Sequence, residues 1–190
     1  MMTVLEIFLI FWTVVFSSNA DAQFLNEKWQ ILSGKWENSG SYLKGWTDEG
    51  DAILVYGNEE FKNFSCSVKV KPVTREGSLI FRVRDTKNCY LLIFVPEGAN
   101  EGYSGIALGK RINGRETYFA GTRTKFKIDQ WVNVKTIFVG EEIKVFLNDE
   151  LILASQDNTY KSGKVGLRIY GRRSKPCITF YDDFKIEEIK

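Results

Sequence analysis

From Trp131 to Ser155 the chain reads WVNVKTIFVGEEIKVFLNDELILAS, and apolar and polar side chains alternate through most of it. Val132, Val134 and Phe138 take turns with Asn133, Lys135 and Ile137. Ile143, Val145 and Leu147 take turns with Lys144, Phe146 and Asn148. A period of two sends successive side chains to opposite faces of a strand, which a helix of 3.6 residues per turn cannot do. Gly140-Glu141 and Asn148-Asp149 fall between the runs and supply tight-turn chemistry. The segment is therefore a meander, and strands joined by such short turns must pair antiparallel.

The same grammar extends over the rest of the chain. Runs at 29–32, 35–38, 41–45, 53–57, 64–71, 78–84, 89–95, 104–110, 116–120, 131–139, 142–148, 151–155, 164–170 and 177–187 read as strands, punctuated by Gly, Asn and Asp. Only Glu59–Phe64 has the makings of a helical turn. Many short strands at close spacing predict an all-β sandwich or barrel. There is no internal repeat and no low-complexity tract, and three prolines leave little linker material. One sandwich domain is expected to fill residues 23–190, and 190 residues suffice for a sizeable core.

Residues 1–22 read differently. Leu5–Phe16 is nearly all apolar and is followed by Ala20-Asp21-Ala22, the pattern of a secretory signal cleaved before Gln23. It is too short for a membrane span, so no span is expected in the mature chain. The expected location is secreted or extracellular, periplasmic or cell-surface in a bacterium. Against this pattern, no Lys or Arg precedes the run and Glu6 sits at its edge, so an uncleaved anchor is the alternative. Removing the segment takes away Glu6 and Asp21 and leaves 26 basic against 22 acidic side chains, a formal charge of +4. That charge is spread along the chain, without the basic stripe of a nucleic-acid binder. Arg168, Arg172, Arg173 and Lys175 form one late cluster that reads as a solvated strand end. Cys66, Cys89 and Cys177 stand alone, with no Cys-x-x-Cys and no histidine, which excludes an ordinary zinc site. An odd count allows at most one internal bridge, and three small buried hydrophobes is the plainer reading.

Between Gly77 and Phe94, GSLIFRVRDTKNCYLLIF places arginines where a core strand would be apolar. Strict alternation puts Leu79, Phe81 and Val83 on one face and Ile80, Arg82 and Arg84 on the other. Asp85–Asn88 form the turn and Tyr90 lies on the next strand. Guanidinium forks beside an aromatic ring suit a hydroxyl-rich ligand. The alternative is that these arginines pair with Asp85, Glu97 or Glu116 and solubilise an open sheet face.

Trp131-Val-x-Val-Lys, Gly163-Lys-Val-Gly166-Leu and the closing Ile178-x-Phe-Tyr-Asp-Asp-Phe184-x-Ile resemble the concanavalin A-like jelly rolls of the laminin-G-like type. So do Gly77-x-Leu-Ile-Phe-Arg-x-Arg-Asp with Tyr90, and the opening Trp29, Gly34-x-Trp36 and Gly40-x-Tyr42. The resemblance covers about Phe24 to Lys190. Within that superfamily the chain is similar to 3-keto-disaccharide hydrolase-type domains and to fructan-binding-type carbohydrate-binding modules. The resemblance implies a concave sheet that meets sugar through Arg, acidic and aromatic side chains. Position by position it implies Arg82, Arg84, Asp85 and Tyr90, with Arg168 and Tyr170 opposite the core-facing Val165, Leu167 and Ile169. Tyr118 and Tyr103 are weaker matches. Related jelly rolls hold a structural calcium, for which Asp183 is the preferred ligand. Asp182 and an acidic turn at Asp48, Glu49 and Asp51 are further oxygen donors.

Catalysis finds less support. The Glu-aliphatic-Asp-x-x-Glu strand of retaining glycosidases on this fold does not occur here. The adjacent pairs Glu59-Glu60, Glu141-Glu142 and Glu187-Glu188 send their side chains to opposite faces or lie in turns. Without histidine, the Ser-His and Cys-His arrangements are gone too. A distant pair such as Asp85 with Glu97 or Glu116 is what an acid–base mechanism would have to use. The expected function is a secreted, non-catalytic jelly roll that binds carbohydrate or a glycosylated surface on its concave face. A glycoside hydrolase of the 3-keto-disaccharide type and a laminin-G-like protein-interaction module are the alternatives. Trp29, Trp36 and Trp131 are expected in the core, with Trp46 nearer the surface.

Overall fold

The structure, a computed structural model, describes residues 25–99, 101–123 and 126–190. The proposed signal segment and the Gln23 cleavage site lie outside them. Fourteen strands follow one another: β1 (Trp29–Ser33), β2 (Lys35–Ser39), β3 (Tyr42–Thr47), β4 (Gly50–Phe61), β5 (Phe64–Pro72), β6 (Gly77–Asp85) and β7 (Asn88–Val95), then β8 (Gly105–Ile112), β9 (Arg115–Thr122), β10 (Val132–Val139), β11 (Glu142–Leu147), β12 (Glu150–Gln156), β13 (Gly163–Gly171) and β14 (Cys177–Glu188). Each expected run has its strand. Glu59–Phe64, the one candidate for a helical turn, is no helix: Glu59–Phe61 extends β4 and Phe64 opens β5.

Two antiparallel seven-stranded sheets form a jelly-roll sandwich. The front sheet runs β1-β4-β13-β6-β7-β8-β9 and the back sheet β12-β11-β10-β5-β14-β3-β2. The meander at 131–155 is the β10-β11-β12 end of the back sheet. Alternation fills the space between the sheets: Leu79, Phe81, Tyr90, Leu92, Phe94, Leu108, Val165, Leu167 and Ile169 from the front meet Phe64, Val68, Val70, Val134, Phe138, Val145 and Tyr181 from the back. Phe64 and Phe138 stack with centroids 5.0 Å apart and an interplanar angle of 12°. Trp36 belongs to this core, and Gly45 opposite leaves room for its ring: a Cβ there would stand 2.6 Å from it. Trp29 packs against the core edge with Tyr56 and Phe184. Trp131 is a correction, because it lies half-buried outside the core, against Tyr42 and under the Lys71 ammonium.

Of the places where strand register slips, two put a non-glycine strand residue in the left-handed region. In β6 the register against β7 slips between Phe81 and Asp85, and Arg82 adopts a left-handed φ of 45°. The slip turns Arg82 inward and passes Val83 to the opposite face. The Arg82 guanidinium packs on Phe138 and donates to the carbonyls of Tyr160 (2.8 Å), Lys62 (2.7 Å) and Gly140 (2.9 Å), tying together three loops at one end of the sandwich. Gly163 closes on this bulge so tightly that a Cβ would stand 2.3 Å from the Arg82 carbonyl carbon. In β14 the slip falls between Asp182 and Lys185, with Asp183 at φ 50°. It lets Phe184 face inward while Asp182 and Lys185 each pair with β5.

Candidate functional site

The outer face of the front sheet is not simply polar. Ile53, Val55, Ile80, Val83, Cys89, Leu91, Ile93 and Val95 form a second buried apolar cluster there. A cluster on an outer face needs a cover, and much of the cover is charged. Arg168, on the central strand β13, is buried. Its Nε donates to Asp51 at 2.7 Å, and its terminal nitrogens reach Glu116 at 3.2 Å and Glu76 at 3.5 Å. Arg111, at the end of β8, donates to the same two carboxylates, to Asp51 at 2.8 Å and also to Glu116. Two arginines and two carboxylates thus close a ring of ion pairs, anchored by an Arg111 hydrogen bond to the Thr86 carbonyl in the β6–β7 turn. Asp51 and Glu116 come from β4 and β9, near opposite edges of the sheet. The twist inherent in a sheet of this width lifts diagonal corners toward each other, and this lets them meet over Arg168.

Burial alone would raise the Asp51 carboxyl, but the charges of Arg168 and Arg111 outweigh it and hold the group below its ordinary value. Glu116 is depressed in the same way, with help from the Tyr118 hydroxyl, which donates to it at 2.6 Å. Burial drives Tyr118 itself upward, so it remains a phenol. Glu76 behaves oppositely: its burial exceeds what Arg168 and Arg75 return, and its carboxyl is raised. Arg75 is consumed elsewhere, gripping Glu101 with two bonds of 2.8 Å and the Tyr170 carbonyl with one of 2.6 Å.

Over this ring opens a depression of about 880 Å³, walled by Ser33, Thr86, Tyr118, Tyr170 and Arg172. The arginines are nearly inaccessible, whereas the side chains of Asp51 and Glu116 keep 25% exposure. The face therefore offers ionised acceptors, held in place by buried cations, beside two aromatic rings. Such acceptors take hydrogen bonds from hydroxyl groups, and the rings offer apolar surface to the C–H faces of a ligand.

The sequence-derived residues distribute unevenly over this geometry. Arg168, Tyr170 and Tyr118 belong to the site, and the Arg168 and Arg75 guanidiniums both pack on the Tyr170 ring. Arg82, Arg84, Asp85 and Tyr90 do not share a ligand face. Arg82 is the buried loop clamp, and Arg84 is exposed and paired with Glu60 at 3.0 Å. Asp85 caps its own turn through the Lys87 amide and the Asn88 side chain. Tyr90 points between the sheets, where its hydroxyl donates to Asp157 at 2.7 Å. For Arg82 the bulge is the physical reason, since it reverses which residues of β6 face outward, whereas Tyr90 faces inward because it pairs with the core residue Phe81. Asp183 pairs with Lys69 at 2.6 Å on the back sheet, and no group of three or more metal-ligating side chains gathers among the described residues. The Asp182-Asp183 pair lies at the β14 bulge, where Asp183 takes a left-handed φ. Cys66, Cys89 and Cys177 are free and buried.

Asp51, Arg111, Glu116, Glu76 and Arg75 complete the cluster without having been assembled from the sequence. Asp51 reads there as part of an acidic turn, and Glu116 as a partner for the β6 arginines. A usable signal exists for Arg111: in β8, Ile106 and Leu108 face the core, which places Ala107, Gly109 and Arg111 on the other face.

The fold and site define a concanavalin A-like jelly roll with a charged, aromatic-flanked depression on its front sheet. Residues 12–187 match the model of the 3-keto-alpha-glucoside-1,2-lyase-like domain, and the chain belongs to that family. Over 145 residues it is 23% identical to a levanase of Bacillus subtilis, covering 75% of this chain and 21% of that enzyme. The chain thus corresponds to about a fifth of the levanase. Among solved structures, the carbohydrate binding module CBM66 from Bacillus subtilis superposes with a TM-score of 0.73 at 20% identity, over 85% of this chain and 96% of that one. The exoplasmic/lumenal domain of VIP36, in a Ca2+/Man-bound form, superposes with a TM-score of 0.65 at 13% identity, over 85% and 83% of the two chains. These likenesses establish the fold.

Proposed function

We propose that this protein is an exported carbohydrate-binding jelly roll whose ligand sits on the front sheet, over the Asp51–Arg168–Glu116–Arg111 ring. The observation that carries the reading is the pair of partly exposed, ionised carboxylates at the floor of a depression flanked by Tyr118 and Tyr170. Sugar hydroxyls donate to such acceptors, and the buried arginines keep the acceptors charged and in register. Kinship with a levanase and a carbohydrate-binding module supports export and sugar as the ligand class. A glycan array probed with the full chain tests it. Asp51→Asn and Glu116→Gln are expected to lose tenfold to a hundredfold in affinity, the cost of a charged hydrogen bond. Arg84→Ala, outside the depression, serves as the control. Equal binding by all variants would remove the ligand from this face.

A second reading, chemistry on the bound sugar, is favoured by the family and by one local contrast: Glu76 is raised while Asp51 and Glu116 are lowered. Carboxyls whose environments push their acidities apart can divide into acid and base. Incubating wild type and Glu76→Gln with 3-keto-glucosides separates the readings, because a binding module turns over neither.

A further inference from the structure

Beside the polar depression lies a second trough of about 590 Å³, which shares Arg75, Glu76, Ile93, Tyr118 and Arg172 with it. We infer that this trough takes the apolar aglycone of a glycoside whose sugar occupies the polar depression; the inference rests on the carbohydrate reading above.

The trough is built by strand register. From the site outward, Arg168 on β13 pairs with Ser78, Ser78 with Ile93, Ile93 with Ala107 and Ala107 with Gly121. From Ile93 to the edge the outward side chains shrink, Ile to Ala to Gly, so the sheet leaves a hollow where its neighbours stand high. One row away, Gly109 lets the Tyr118 ring lie down over the sheet: a Cβ at Gly109 would stand 2.7 Å from the ring. That ring forms the shared wall, with its hydroxyl on Glu116 in the polar site and its face along the trough. Val95, Ala120 and the exposed ring of Tyr103 complete an apolar lining.

Charged groups also border the trough, but the buried ones are mostly engaged within the protein. Three of the five N–H groups of Arg75 are used, two on Glu101 and one on the Tyr170 carbonyl. Glu101 is further engaged by Lys175 and lies 3.8 Å from Arg172. A second sugar ring placed here would surrender water from its hydroxyls and find few partners, which is costly. An aromatic or alkyl substituent loses nothing of the kind and gains contact area.

The test compares paired methyl, phenyl and octyl glycosides of glucose and of fructose by titration, with amide NMR shifts as a second readout. Phenyl or octyl glycosides are expected to bind roughly tenfold or more tighter than the methyl glycoside of the same sugar. They should move the resonances of Ala107, Ala120 and Gly121, while methyl glycosides move only those around Glu116. A gain with phenyl alone assigns a ring-shaped aglycone, and a larger gain with octyl assigns a chain. Ala107→Leu, which fills the floor, should abolish the gain and spare methyl glycoside binding. Equal affinity for methyl and apolar glycosides overturns the trough and leaves the sugar site standing. No binding by any of the probes, with no shift at Glu116, overturns both.

Discussion

Arg168 and Glu116 meet at 3.2 Å although three strands, β6, β7 and β8, separate theirs in the front sheet. The contact exists because the front sheet twists, so the binding face depends on that twist. Removing the guanidinium leaves Asp51 and Glu116 beside each other with only Arg111 between them. Arg168→Leu should therefore cost about 3–5 kcal/mol at neutral pH, the range for orphaning a buried charge. The pH dependence has a definite sign. In the wild type, Arg168 helps depress both carboxyls, so their stabilisation is lost as pH falls. In the variant Arg168 no longer opposes burial, so both carboxyls lie higher than in the wild type and take up protons earlier as pH falls, which relieves the variant first. Denaturant melts at pH 7 and pH 5 should show the gap between the two proteins narrowing at the lower pH. A constant gap would show that the ring contributes packing rather than charge.

Arg82 is architectural, and its loss should be felt in the fold rather than in the ligand. Three carbonyls from the β4–β5, β10–β11 and β12–β13 connections converge on it. Arg82→Ala strips all three of their donor and should cost roughly 3–5 kcal/mol. Glycan affinity measured well below the melting temperature should match the wild type. A stable Arg82→Ala protein that no longer binds glycan would return Arg82 to the ligand face.

The tryptophans rank by what covers them. Trp36 is in the core, notched into Gly45, and Trp36→Ala should cost about 3–5 kcal/mol. Trp131 lies on the outer surface of the back sheet, where Tyr42 and Lys71 cover only part of it, so Trp131→Ala should cost clearly less. Parallel urea melts of the two variants decide the order. Equal losses would mean that the surface stack carries as much of the fold as the core ring.

Much of this architecture was legible because strand alternation is a local signal. All fourteen strands, the antiparallel meander and the inward faces of β10, β11 and β13 follow from side-chain period alone. Alternation fails where the backbone slips, and nothing in FRVRD announces that Arg82 takes a left-handed φ. One such residue moved Val83 and Arg82 to faces opposite to those expected. The ring of Asp51, Arg111, Glu116 and Arg168 was hidden for a different reason. Its members sit on four strands, and only strand order and twist show that they meet. The resemblance that brought Arg168 and Tyr170 into view did so because both lie opposite three core residues in one strand.

The loop before β13 is held by Asp157, which accepts from the Tyr90 hydroxyl at 2.7 Å, from Lys110 and from the Thr159 amide at 2.9 Å. Burial would raise this carboxyl, but Lys110, Thr159 and Tyr90 together pull it down to about 2 from an ordinary 3.8. A depressed carboxylate stabilises the fold above its unfolded value and loses that contribution as pH falls through the folded one. The window is therefore about pH 4 down to pH 2. After allowance for solvent screening, the contribution at neutral pH is about 1–2 kcal/mol. Asp157→Asn keeps the shape and removes the charge, so it should be less stable than wild type by that amount at pH 7. The two proteins should draw together toward pH 2, where Asp157 is itself about half protonated. Denaturation midpoints followed from pH 7 to pH 2 measure this directly. A difference that persists unchanged at pH 2 would mean that Asp157 holds the loop by hydrogen-bond geometry alone, with no share from its charge.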